Sequence, residues 1–358
     1  MLILTADIGA GHDLPAQLLA DAVTAARPGA EVEIADGLVA MGGLVRGAVR
    51  TGQETLLRRM PWMFDVQYWL VARFAVMRRI AGAIGTRLGG PGLLALVERT
   101  RPDVIVSTYP GTTEVLGRLR RTGRLDVPCV SAITDLAALN YWASPGIDLH
   151  LITHAEAREE VEAIAGPGAE VRHVRGFSRP EFESPRPAAE AREALGLPAD
   201  GPVVVVSGGG WGVGDLEAAT RAVLAVPGAT AVCLCGSNDA VRARLAAAHR
   251  GDPRVRLEGF TDRMADWLAA ADVLVHSTAG LTMLEAQMAG TWAISYGWGV
   301  GHIRANNQAF RRFGLAAVAT TPADLADALR AALAAPRPRD PVFATLPTAA
   351  EAVLELAG

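Results

Sequence analysis

Lysine is absent from this sequence: all 34 basic residues among the 358 are arginine. The bias points to a GC-rich genome more than to any chemistry, and it excludes the Gly-Lys-Ser/Thr ending of a P-loop. Cysteine is scarce, at three residues. Cys129, Cys233 and Cys235 offer neither a disulfide framework nor paired zinc spacing; Cys233 and Cys235 read as one face of a buried strand. Aromatics make up 5% and charged residues 20%, with a net charge of −4, so nothing in the totals favours nucleic acid as a partner. No Asp-x-Asp metal motif is present, and no apolar stretch looks long enough to span a bilayer. The opening run MLILTA reads as a strand rather than a signal peptide. A reducing cytoplasm is the expected compartment.

What is present is apolar residue, at 50% of the chain, enough for two cores of ordinary size. Short apolar runs recur, each followed by a small-residue turn and a segment of helical period. Expected strands are Leu2–Thr5, Glu31–Ile34, Val104–Thr108, Cys129–Ile133, Leu149–Thr153 and Val171–Val174. A second series follows at Val203–Ser207, Ala231–Cys235, Val255–Leu257, Val273–His276 and Ala293–Tyr296. Strands alternating with helices predict parallel sheets of right-handed βαβ units, hence two doubly wound α/β domains. The prolines at 180, 185, 187 and 198 mark 179–198 as a linker between a domain over 1–178 and one over 199–335. Residues 336–358 form a tail closing in a short helix.

Residues 44–88 differ in kind. Arg46, Arg50, Arg58, Arg59, Arg73, Arg78, Arg79 and Arg87 face only Glu54 and Asp65, interleaved with Trp62, Phe64, Tyr68, Trp69 and Phe74. A basic amphipathic helix pair with interfacial aromatics suits adsorption to an anionic membrane. Arginine-decorated helices packing their aromatics into the first core would give the same pattern.

Three turns carry chemistry. Gly9-Ala10-Gly11-His12 follows the first strand, ahead of a helix expected near Leu14. Its glycines permit close backbone approach, and His12 falls at the carboxyl edge of the sheet, where open α/β domains bind ligands. A neutral imidazole there suits a general base; a histidine merely packed beside the turn is the alternative. The second turn, Ser207 to Gly214, holds five glycines in eight positions, including Gly209 and Gly210, and its amides suit a pyrophosphate. The third runs from His276 into a helix near Leu281 whose first amides form another anion site. Glu285, one turn in, suits the hydroxyls of a ribose, or is simply a solvated helix carboxylate.

With these motifs in order, the chain resembles the GT-B glycosyltransferases of the MurG and monogalactosyldiacylglycerol synthase group, which includes bacterial diacylglycerol glucosyltransferases. The resemblance spans nearly the whole chain. It rests on GAGH from Gly9, TDLAALNYWASP from Thr134, GGGWGVG from Gly208, GFTDRM from Gly259, STAGLTMLEA from Ser277 and GHIRANNQAF from Gly301.

The resemblance implies two facing Rossmann-like domains, an acceptor site in the first and a nucleotide-sugar site in the second. By the same resemblance His12 is the general base, and Asp135 lines the cleft and assists it. Gly9, Gly11, Asn140 and Trp142 fall on the acceptor side. Phe260 and Thr261 hold the uracil; Ala279, Gly280, Leu281 and Thr282 face the phosphates; Glu285 binds the ribose; His302 and Asn306 fall where the sugar is read. The expected activity is an inverting, metal-independent transfer of a hexose or N-acetylhexosamine from a UDP-sugar, a co-substrate rather than a cofactor, to a lipid such as diacylglycerol. The enzyme is then expected to be peripheral on the inner face of the plasma membrane. Leu139 stands where diacylglycerol glucosyltransferases have His, and His302-Ile303 where relatives have Gln-Glu, which leaves acceptor and sugar open. A soluble acceptor, a nucleotide-sugar epimerase and a degenerate nucleotide-sugar-binding subunit are the rival readings.

Overall fold

Runs such as Val203–Val206 show no polar alternation because both faces of their sheet are covered, as in parallel sheets flanked by helices. The computed structural model describes residues 1–6, 10–49, 63, 66, 74–277, 280–297, 299, 302–337 and 342–358. It contains two parallel six-stranded sheets. The chain divides into two compact units: residues 1–178, 300–302 and 345–358 form the first, residues 179–299 and 303–344 the second.

In the first unit, β1 (Leu2–Thr5), β2 (Glu33–Asp36), β3 (Ile105–Ser107), β4 (Cys129–Ile133), β5 (Leu149–Ile152) and β6 (Glu170–His173) are ordered β2-β1-β3-β4-β5-β6. Strand β1 sends Leu2 and Leu4 into one core and Ile3 into the other. The final helix, Ala349–Leu356, lays Ala349, Ala350, Ala352 and Val353 against the second of these, beside Ile3, Ala16 and Leu19. The C-terminal tail therefore ends as part of the first unit.

In the second unit, β7 (Val203–Ser207), β8 (Thr230–Leu234), β9 (Val255–Glu258), β10 (Val273–His276), β11 (Trp292–Tyr296) and β12 (Ala317–Ala319) are ordered β12-β11-β10-β7-β8-β9. Both sheets are doubly wound. The order reverses between β1 and β3 in one and between β7 and β10 in the other, and such switch points open crevices at the carboxyl ends of the strands.

Residues 179–198, expected as a linker, fall within the second unit. The helix Ala188–Leu195 buries Ala191 and Leu195 there. Arg192 anchors it, donating to the carbonyls of Ala270, Ala199 and Gly201 and to Asp272 at 2.8 Å.

The helix Ala75–Thr100 is built on a stripe of glycines. A Cβ at Gly92 would strike the carbonyl of Ala40, one at Gly89 would strike Met41, and one at Gly82 would strike Glu114. These absences let the helix pack closely on Gly37–Ala40 and on Pro110–Arg121. Val76–Thr100 is long and apolar enough to cross a membrane by length and composition. This corrects the expectation of no such segment: interspersed glycine and alanine hide the length in any continuous apolar run. Of the basic-aromatic segment, Arg50, Arg58, Arg59, Trp62, Phe64, Tyr68, Trp69 and Arg73 lie outside the described residues.

Candidate active site

In the first unit, the carboxyl ends of β1, β3 and β4 lie side by side. The helix after β1 runs Ala10–Ala26 and so starts earlier than expected, placing His12 in its first turn. Pro15 sits inside it, where the missing amide forgoes one helical bond, to the carbonyl of Gly11. Asp13 accepts a 2.7 Å hydrogen bond from the Thr5 hydroxyl, which ties this turn to β1.

His12 is half-buried. Its Nδ1 lies 2.9 Å from the carbonyl oxygen of Thr108, just beyond β3. A carbonyl only accepts, so Nδ1 carries a hydrogen and the neutral ring has its lone pair on Nε2. The Tyr109 ring meets the imidazole edge-on at 5.3 Å and 82°, and the Trp142 ring lies 5.8 Å away at 43°. Burial pushes the Tyr109 phenol up to about 12, with the charge of Asp36 adding to the shift. Trp142 is 2% exposed, and its indole N–H donates to Asp135 at 3.0 Å.

The structure thus gathers His12, Asp135 and Trp142 at adjoining strand ends. Asn140 sits in the turn Leu139–Tyr141, half-buried. Leu139 is wholly buried, so that position is a packing one. Gly11 is exposed, and Gly9 lies outside the described residues. Thr108 and Tyr109 were missed from the sequence. Their one signal was position: they directly follow the strand that pairs with β1.

In the second unit, the loop after β7 is folded on itself. The amides of Gly208, Gly209, Gly212 and Val213 donate to Leu234, the Ser207 hydroxyl, Gly209 and Gly208. The Gly210 carbonyl accepts from the backbone and hydroxyl of Ser237, and the Gly212 carbonyl from Asn238. Gly209 has φ +67°, which suits glycine at that turn. Most amides expected to cradle a pyrophosphate are therefore already bonded within the protein. What the loop presents is side chain: Trp211 is exposed, and Phe260, at 76% exposure, packs its ring edge near Gly210.

Beside it, the turn after β10 opens the helix Leu281–Met288. The Gly280 cap supplies no side chain, and the Gly280 carbonyl accepts from Met283 at 3.0 Å. An uncapped helix start of this kind favours an anion. Thr282 and Leu281 are half-buried in this first turn, and Ala279 lies outside the described residues. Glu285 is 6% exposed, which excludes the solvated carboxylate. His276 is buried, its Nδ1 3.2 Å from the Ser207 carbonyl, and burial lowers its pKa to about 4. The Thr261 hydroxyl accepts from the Trp267 indole at 3.2 Å and from the Arg263 amide at 3.1 Å. Asn306 is buried on the helix His302–Phe313; the side chain of His302 lies outside the described residues. Its neighbour Asn307, not singled out from the sequence, accepts from Ser295 at 2.5 Å and donates to the Gly297 carbonyl. Among the described residues no three His, Cys, Asp or Glu gather as a metal site would need.

Comparison with known proteins agrees with this division. Residues 12–172 match the family described as monogalactosyldiacylglycerol (MGDG) synthase, and residues 211–335 the family described as glycosyl transferases group 1. The chain is similar to the processive diacylglycerol beta-glucosyltransferase of Bacillus subtilis, at 24% identity over 69% of this chain and 65% of the relative. It is also similar to monogalactosyldiacylglycerol synthase 1 of Arabidopsis thaliana, at 28% identity over 58% and 41%. The chain thus spans between two-fifths and two-thirds of the length of these relatives. Among solved structures, Acinetobacter baumannii MurG shares the fold, with a TM-score of 0.56 and 13% identity over 100% of this chain and 92% of that one. The two α/β units are those of the GT-B fold, both matched families are glycosyltransferases, and the first match and the relatives are those of the monogalactosyldiacylglycerol synthase and diacylglycerol glucosyltransferase group.

Proposed function

We propose that this chain is an inverting, metal-independent glycosyltransferase that moves a hexose or N-acetylhexosamine from a UDP-sugar to a membrane lipid of the diacylglycerol type. The observation that carries the reading is the seat of His12, whose Nδ1 is committed to the Thr108 carbonyl at 2.9 Å. Its Nε2 then serves as the base. The acceptor oxygen gives its proton to Nε2 and bonds to the anomeric carbon, while the bond from that carbon to the diphosphate breaks and UDP leaves. The charge that builds on the diphosphate is met by the uncapped amides of the helix Leu281–Met288. Glu285 holds the ribose, and Phe260 and Thr261 flank the uracil.

The lipid side of the reading is supported by the helix Ala75–Thr100. Met77, Ile80, Ile84 and Leu88 form an exposed apolar stripe at helical spacing, 46–53% exposed, with the exposed Arg87 alongside. That combination suits the interface of an anionic leaflet and an enzyme peripheral on its cytoplasmic face. A soluble acceptor is the second reading, favoured by Leu139, whose buried side chain stands where a histidine is expected.

The test is a panel of UDP-sugars against lipid extract and defined diacylglycerol vesicles, with and without EDTA, read by mass spectrometry of products. A glycosylated lipid, of inverted anomeric configuration and unaffected by EDTA, is the expected product. Glycosylation of soluble acceptors alone would move the assignment to the second reading, and no donor turnover with any acceptor would sink both.

A further inference from the structure

We infer that Trp142 is a positioning residue for His12, clamping the imidazole together with Tyr109 and joining it to Asp135 through the indole N–H. The inference rests on His12 being the base. Three sides of the imidazole are built. The Thr108 carbonyl takes Nδ1 at 2.9 Å, Tyr109 meets the ring edge-on at 5.3 Å, and Trp142 lies tilted at 5.8 Å.

The indole is itself immobile. Its backbone amide donates to the Leu139 carbonyl at 2.9 Å, its carbonyl accepts from the Ser131 hydroxyl at 2.8 Å, and its Nε1–H donates to Asp135 at 3.0 Å. Tyr109 is held likewise, its carbonyl accepting from the hydroxyls of Ser107, Thr112 and Thr113. A buried tryptophan usually gives its N–H to a backbone carbonyl or water. Here it goes to a carboxylate, and the ring behind that N–H lies 5.8 Å from the imidazole.

This arrangement does two things. It fixes the direction of the Nε2 lone pair, because the ring cannot rotate without leaving the Thr108 carbonyl and colliding with an aromatic wall. It also brings the imidazolium that forms in the reaction to 5.8 Å from the indole centroid, within the range of cation–π attraction. A carboxylate on the indole N–H makes that ring more negative. Among the described residues, the ionisable groups near this turn include Asp13, which accepts from Thr5, and the Tyr109 phenol with the charge of Asp36 near it. Among these, Asp135 is the one joined to an aromatic wall of the seat by a hydrogen bond to its indole.

The experiment is a cycle of Asp135→Asn, Trp142→Phe and the double variant in the full chain. It is read by the NMR titration of the His12 ring without substrate and by kcat and KM with a UDP-sugar. Trp142→Phe keeps a ring against His12 but has no N–H for Asp135. Each single variant is expected to lower the His12 midpoint by about half a pH unit and to lower kcat about tenfold with little change in donor KM. The double variant is expected to add no more than either single one. Equal and additive shifts would mean that Asp135 reaches His12 by another route, and unmoved midpoints would mean the seat does not act on the base; either outcome overturns the inference. His12→Ala separates the two readings: if turnover survives it, the base assignment fails whatever the titrations give.

Discussion

The Nδ1 of His12 lies 2.9 Å from the carbonyl oxygen of Thr108, a residue 96 positions later in the chain. That contact fixes the tautomer, and with it, in the proposed mechanism, which nitrogen meets the acceptor. Replacing His12 by Ala or Asn is therefore expected to lower kcat by about a hundredfold or more, the usual range for a lost general base. Affinity for UDP, which the proposed function assigns to the other unit, is expected to stay unchanged. Steady-state rates alongside UDP titration calorimetry check both halves of this outcome.

Glu285 gives a separate handle on the donor. Its carboxylate is buried one turn into the helix Leu281–Met288. If it accepts from the ribose, Glu285→Gln weakens UDP binding about tenfold, the worth of a charged hydrogen bond. The wild type is then expected to discriminate against 2′-deoxy-UDP and the variant to lose that discrimination. Equal losses for both nucleotides in the variant would remove Glu285 from the ribose.

The glycine loop depends on a residue outside it. Gly236 has φ +57°, and a Cβ there would collide with the carbonyls of Gly209 and Gly210. Gly236→Ala therefore carries both a left-handed backbone and an overpacked contact, together about 2–3 kcal/mol. Urea unfolding measures this cost. The displaced loop is expected to weaken UDP binding, seen by calorimetry at low urea.

Much of this was readable beforehand, and the exceptions have physical reasons. Strands buried on both faces, such as Val203–Ser207 and Cys129–Ile133, stand out as apolar runs and were placed to the residue. Strand β12, Ala317–Ala319, went unseen because three small residues at a sheet edge carry no such signal. Strand β2 lies two residues later than expected because it is a partly exposed edge strand with no apolar run to mark it. Prolines suggested a linker at 179–198, but Arg192 ties that stretch to Ala270 and Asp272, contacts that no local pattern reveals. In the site, turn glycines and His12 were legible from their place after strands. The seat around His12 was not, since it depends on β3 lying beside β1. The loop's self-bonding was hidden for a similar reason: its partners Ser237 and Asn238 come from the turn after β8.

Two buried histidines predict how the fold responds to acid. His150 on β5 and His276 on β10 both have pKa values lowered to about 4 by burial, against about 6.5 in an unfolded chain. The unfolded state thus binds protons first. The stability linked to each neutral ring is complete above about pH 6.5 and is lost progressively as pH falls toward 4. Between pH 7 and pH 5 each contributes about 2 kcal/mol of lost stability. Urea midpoints across that range are expected to fall steeply. His276→Gln, with a side chain that does not titrate, is expected to flatten the slope for the second unit, and an unchanged slope would show His276 to be protonated in the fold.

The apolar stripe on the helix Ala75–Thr100 yields the prediction that separates a lipid acceptor from a soluble one. Ile80 and Ile84 are each about half exposed, while the packing contacts of this helix run through Gly82, Gly89 and Gly92. Glu at both isoleucines leaves the packed face intact, so melting temperature is expected to change little. It replaces apolar surface with negative charge beside Arg87, reversing both terms that favour an anionic leaflet. Co-sedimentation with phosphatidylglycerol vesicles is expected to fall about tenfold or more. Turnover of vesicle-borne acceptor is expected to fall with it, while a detergent-dispersed acceptor is used at the unmodified rate. Binding that survives the double substitution would mean the stripe is not the membrane face, and a loss of turnover with dispersed acceptor as well would place the defect in catalysis rather than in docking.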